Sequence, residues 1–131
     1  MGFPLVKPLV WVGVSLKDVR DFPEAVKDDV DVALYDAQRG LKSSTAKPLK
    51  RFGGASALEI VSDYRTDTYR TVYTVQFSER IYVLHAFQKK SKNGIAMPQT
   101  EVELLKSRLQ QSAELHQTWQ QETAKYKPEE Q

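Results

Sequence analysis

Six cations stand out by position. Lys50 and Arg51 precede a series of β-rich segments, Arg70 lies inside the longest of them, and Lys89, Lys90 and Lys92 follow the last. In an antiparallel arrangement the start of one strand and the end of its neighbour share an edge, so cations distant in sequence can converge on one groove. Protonated Lys and Arg do not serve as general bases, yet clustered they stabilise charge that develops on phosphorus-bound oxygens in a transition state. The chemistry this permits is metal-free phosphodiester cleavage; the same charges serve equally as a solvated face. Of the two histidines, His85 sits within the apolar segment 81–87, a setting that favours a hydrogen-bonded core residue over a catalytic one, and His116 lies on a polar helical stretch and reads as surface. The chain has no Gly-rich phosphate loop, no paired histidines at zinc spacing and no serine in a nucleophile-elbow context, so no metal or other cofactor is expected. The absence of cysteine excludes disulfides, thiolate nucleophiles, Cys-ligated zinc and iron–sulfur clusters.

The elements that must position these residues follow from periodicity. The chain has 131 residues, 40% hydrophobic and 27% charged, which suits one globular domain able to bury a core. No stretch approaches the roughly 18 consecutive apolar residues of a membrane span, and prolines interrupt the N-terminal segment where a signal peptide needs an apolar core, so a cytoplasmic protein is expected. The net charge of +2 is unevenly spread: five Lys/Arg oppose seven Asp/Glu in residues 1–40, ten oppose four in 41–92, and four oppose six in 93–131. The basic middle, at +6, is the part suited to a polyanion.

A short β-branched and aromatic run predicts a strand at 9–14, and two capping-box spacings, Ser15 with Asp18 and Asp21 with Glu24, predict a helical hairpin over 15–39 that stops at Gly40. Residues 41–56 show no period and read as a loop. Strands are predicted at 57–62, 68–77 and 80–88 with hairpin connections, and Thr100 with Glu103 opens a helix over 100–119. The expected fold class is therefore α+β, with a mainly antiparallel four-stranded sheet, an N-terminal helical hairpin and a C-terminal helix. Residues 1–120 form the expected domain and 121–131 a frayed tail.

The order of these elements, with Ala57-Leu58-Glu59-Ile60, then Asp67-Thr68-Tyr69-Arg70-Thr71-Val72-Tyr73, then His85-Ala86-Phe87-Gln88-Lys89-Lys90-Ser91-Lys92 and Pro98, resembles phage-derived toxins of the RelE/HigB superfamily over roughly residues 45–110. The resemblance implies the toxin half of a type II toxin–antitoxin module, an endoribonuclease that cuts messenger RNA at the ribosome. It implies a cognate antitoxin with a helix-turn-helix part as partner. It also assigns catalytic positions: Arg70, Lys89 and Lys90 match the family's basic residues, Glu59 matches a strand glutamate that acts as base or as ion-pair partner, and His85 is an auxiliary acid. Lys50, Arg51 and Lys92 would position the RNA backbone. Val61 stands where the family carries an arginine, which keeps open a non-catalytic binding module; a ParE-like binder of DNA gyrase is the other alternative, since one fold serves both activities.

Overall fold

In the computed structural model, which describes residues 6–49, 52, 56–89 and 97–125, the chain builds outward from one strand. That strand, β5 (Ile81–Lys89), begins with six consecutive buried residues, the pattern of a strand covered on both faces. It pairs antiparallel with β4 (Asp67–Thr74) on one side and parallel with β1 (Leu9–Trp11) on the other, while β3 (Ala57–Tyr64) and β2 (Ala46–Pro48) extend the sheet to give the order β1-β5-β4-β3-β2.

Alternation along the strands divides the sheet into two faces. Leu58, Ile60, Tyr69, Tyr73, Ile81, Val83 and Ala86 point toward α1 (Ser15–Arg20) and α2 (Glu24–Gln38), where they meet Val19, Val26, Val30, Ala33, Leu34 and Ala37. Val72, Tyr82 and Leu84 point the other way, against Leu105 and Leu109 of α3 (Gln99–Lys125). Arg108 of α3 donates from Nη1 to the Leu84 carbonyl at 2.7 Å, and its guanidinium lies where a Cβ at Gly13 would stand, 2.6 Å away. Gly13, at φ +60°, turns the chain between β1 and α1, a conformation in which glycine carries no Cβ penalty.

The observed sheet is thus five-stranded and mixed, not four-stranded and mainly antiparallel. The predicted strand at 9–14 ends at Trp11 because of the turn at Gly13, and the predicted helical hairpin is a six-residue helix and a fifteen-residue helix broken at Pro23, which cannot donate a backbone hydrogen bond. Neither N-terminal capping box forms: Val14 and Pro23 are the caps, and the Ser15 hydroxyl instead donates to the Val83 carbonyl at 3.1 Å, tying α1 to β5. Thr100 falls inside α3, whose first turn is closed by amides of Glu101 and Val102 on the Pro98 carbonyl. The predicted loop 41–56 contains β2, an edge strand that accommodates Pro48 because an edge has a side free of ladder bonds. β4 stops at Thr74, three residues short of its predicted end.

Phe77 leaves the sheet to stack on His116, ring centroids 4.1 Å apart. His116 is therefore a core residue, 3% exposed, and not a surface one. Its Nδ1 lies 2.9 Å from the Tyr82 hydroxyl and its Nε2 3.1 Å from Glu79. The α3 stripe Val102, Leu105, Leu109 continues at the same 3-4 spacing through Ser112 and His116, both buried, so polar residues occupy core positions there. Among the described residues no helix is long and apolar enough to cross a membrane.

Tyr73 is fully buried with a hydroxyl that has no hydrogen-bond partner, and burial, helped by the Asp36 carboxylate, pushes it up from 10.0 to about 12. The folded state thus favours the neutral phenol, and stability present below pH 10 is lost as pH rises toward 12. Tyr73→Phe is expected to stabilise the protein by about 1 kcal/mol at neutral pH, since an unsatisfied buried polar group is removed, and to abolish this part of the alkaline loss. Urea denaturation of both proteins at pH 8 and pH 11 measures it; equal alkaline losses would refute it.

Candidate functional site

The β3–β4–β5 register brings all four described candidates, Glu59, Arg70, His85 and Lys89, to one sheet face. Glu59 on β3, Val72 on β4 and His85 on β5 form one row; Val61, Arg70 and Phe87 form the next; Asp63, Thr68 and Lys89 the one after. Lys47 of β2 stands opposite Glu59 at the edge.

This grouping depends on an irregularity in β5. The register shifts between Val72↔His85 and Tyr73↔Val83, leaving Leu84 as an extra residue. Strict alternation from Ile81 and Val83 would send His85, Phe87 and Lys89 to the α1/α2 face. The β-bulge turns all three onto the face of Arg70, the kind of re-aiming for which bulges recur beside functional sites. The stacked rings of His85 and Phe87, centroids 5.1 Å apart and 20° from parallel, follow from their shared side.

Arg70 and Glu59 form a buried ion pair. Nη1 of Arg70 donates to both carboxylate oxygens, at 3.0 and 2.9 Å, with the two side chains 15% and 10% exposed. Nε of Arg70 is buried with no partner. Glu59 is thus an ion-pair partner of Arg70, and its carboxylate occupies the guanidinium that a phosphate would need.

His85 is enclosed as expected of a strand residue. Its Nε2 lies 2.5 Å from Oε1 of Glu101, whereas Nδ1 is buried with no partner. A bond in which Nε2–H donates to the carboxylate leaves Nδ1 as the lone-pair nitrogen. Glu101 was missed in the sequence because Thr100 and Glu103 absorbed the capping signal; its marker is an acid in the first turn of a helix, where the helix dipole favours negative charge. Lys47 was missed with β2, and Phe87 passed as an ordinary strand aromatic.

Of the predicted site residues, Glu59, Arg70, His85 and Lys89 therefore share one face. Lys50, Arg51, Lys90 and Lys92 lie outside the described residues. The second imidazole cluster, Glu79, His116 and Tyr82, has an acid–base composition but a fully buried tyrosine and a buried histidine, which gives it a packing role.

A mixed five-stranded sheet with helices on both faces, one face carrying a carboxylate and an imidazole in one row and a cation in the next, defines a small α/β protein with a polar sheet face. Residues 17–110 match the family described as phage derived protein Gp49-like, and the chain belongs to that family, which falls in the RelE/HigB-like toxin group. Comparison with curated proteins and with solved structures gives no match.

Proposed function

We propose that the chain is the toxin of a type II toxin–antitoxin pair and a metal-independent endoribonuclease acting on messenger RNA at the ribosome. The observation that carries this reading is the gathering, by the β5 bulge, of His85 and Lys89 onto the face that holds Arg70. Arg70, Lys89 and Lys90 stabilise the non-bridging oxygens of the scissile phosphate, and Lys50, Arg51 and Lys92 position the backbone. The ribose 2′-oxygen attacks phosphorus in line while its proton passes to a base; the bond from phosphorus to the 5′-oxygen breaks, and that oxygen is protonated. The products are a 2′,3′-cyclic phosphate and a 5′-hydroxyl. Binding of RNA requires Arg70 to exchange Glu59 for a phosphate oxygen. A cognate antitoxin with a helix-turn-helix part covers the basic region in the cytoplasmic complex, within a single domain spanning residues 1–120.

One observation favours a second reading. The Glu59 carboxylate already neutralises Arg70, which suits a ParE-like gyrase binder that cuts no RNA. Induction of the chain in cells separates the two: early arrest of translation with cyclic-phosphate-ended mRNA fragments supports the ribonuclease, and arrest of replication with intact mRNA supports the gyrase binder. Co-expression with the neighbouring gene tests the pairing, which requires co-purification and suppression of toxicity.

A further inference from the structure

We infer that Glu101 is the general base of this site and that His85 positions it; the inference rests on the ribonuclease reading above. A base must come within hydrogen-bond distance of the 2′-hydroxyl it deprotonates. Glu59 and His85 are only 10% and 9% exposed, and Nδ1 of His85 is buried. Glu101, at 27%, keeps one carboxylate oxygen on His85 and has surface left for a substrate.

Its placement is built, not incidental. The Glu101 amide is anchored on the Pro98 carbonyl, and the next residue, Val102, is buried, so the first turn of α3 is fixed over the sheet. His85 fixes the carboxylate from below, Phe87 stacks on His85, and Phe87 is the register partner of Arg70, so base and phosphate-binding cation are joined by one continuous line of residues. In the step, a Glu101 oxygen takes the 2′ proton as the bond from the 2′-oxygen to phosphorus forms; the bond to the 5′-oxygen breaks, and water supplies that oxygen's proton. Asp63, the exposed carboxylate on the same face, lies at the hairpin end of β3, on the side of Arg70 away from His85, and accepts a 2.9 Å bond from Thr68.

The test uses the purified full chain on ribosome-bound mRNA under single-turnover conditions. Glu101→Gln should lower the cleavage rate about 10²- to 10⁴-fold with substrate binding unchanged, and Asp63→Asn should leave the rate unchanged. Glu101→Ala should regain part of its rate when formate is added, a rescue that a merely structural role would not produce. His85→Phe should lower the rate with Glu101 intact. Glu101→Gln cutting at the rate of an active wild-type chain, or a Glu101→Ala loss untouched by formate, overturns the assignment alone; a wild-type chain that cuts no RNA overturns the ribonuclease reading with it.

Discussion

Arg70→Ala is expected to slow RNA cleavage by about 10²- to 10³-fold, the scale on which removing one preorganised donor to a developing oxyanion acts. On the ribonuclease reading, which assigns both cations to the same phosphate, Lys89→Ala combined with Lys90→Ala should lose a comparable factor. Lys50→Ala, Arg51→Ala and Lys92→Ala should behave differently: each weakens binding and lowers the salt slope by about one unit while the chemical step stays close to wild type. The measurement is a single-turnover rate at saturating ribosome-bound mRNA, with binding followed separately at several salt concentrations. Arg70 stands mid-strand in a buried pair, so thermal unfolding and antitoxin binding must accompany the rate. A folded Arg70→Ala protein that cuts at the original rate removes Arg70 from the mechanism, and an unchanged Lys89/Lys90 double variant defeats the constellation.

What the sequence disclosed follows from which interactions are local. β3, β4 and β5 were legible because β-branched and aromatic residues concentrate there between short polar breaks, a signal carried by each segment alone. β2 was not, since Ala46-Lys47-Pro48 has no strand signature and pairs only because Leu58, Glu59 and Ile60 offer it an edge. The parallel pairing of β1 with β5 joins residues about seventy positions apart, and no local pattern encodes such a partner. His116 failed for a related reason: hydropathy marks the stripe of α3 as fading after Leu109, whereas its geometry continues, and Tyr82, Glu79 and Phe77 satisfy the imidazole. Arg70 and Lys89 drew notice by residue type and Glu59 through the resemblance, but the way these residues meet His85 on one face was not legible. It depends on the bulge at Leu84 and on the α3 turn carrying Glu101, both tertiary in origin.

The Glu59–Arg70 pair supplies the sharpest stability result. Arg70→Ala leaves a carboxylate that is 10% exposed without the guanidinium now bonded to both of its oxygens, and should cost about 3 kcal/mol, toward the lower end for breaking a buried pair because a little solvent reaches it. Glu59→Gln should cost less, about 1 kcal/mol, since the long Arg70 stem can carry its charge toward water. Replacing both, as Glu59→Leu with Arg70→Met, removes the desolvated charges together and should return stability to within about 1 kcal/mol of wild type. Urea denaturation of the four proteins yields the coupling energy. Arg70→Ala within about 0.5 kcal/mol of wild type would show that the pair behaves as an exposed one. The same Glu59→Gln protein separates the two roles foreseen for this glutamate: as an ion-pair partner it holds Arg70 away from phosphate, so its loss should leave RNA cleavage intact or raise it, whereas a 10²-fold loss in a folded Glu59→Gln protein would make Glu59 the base and displace Glu101 from that role.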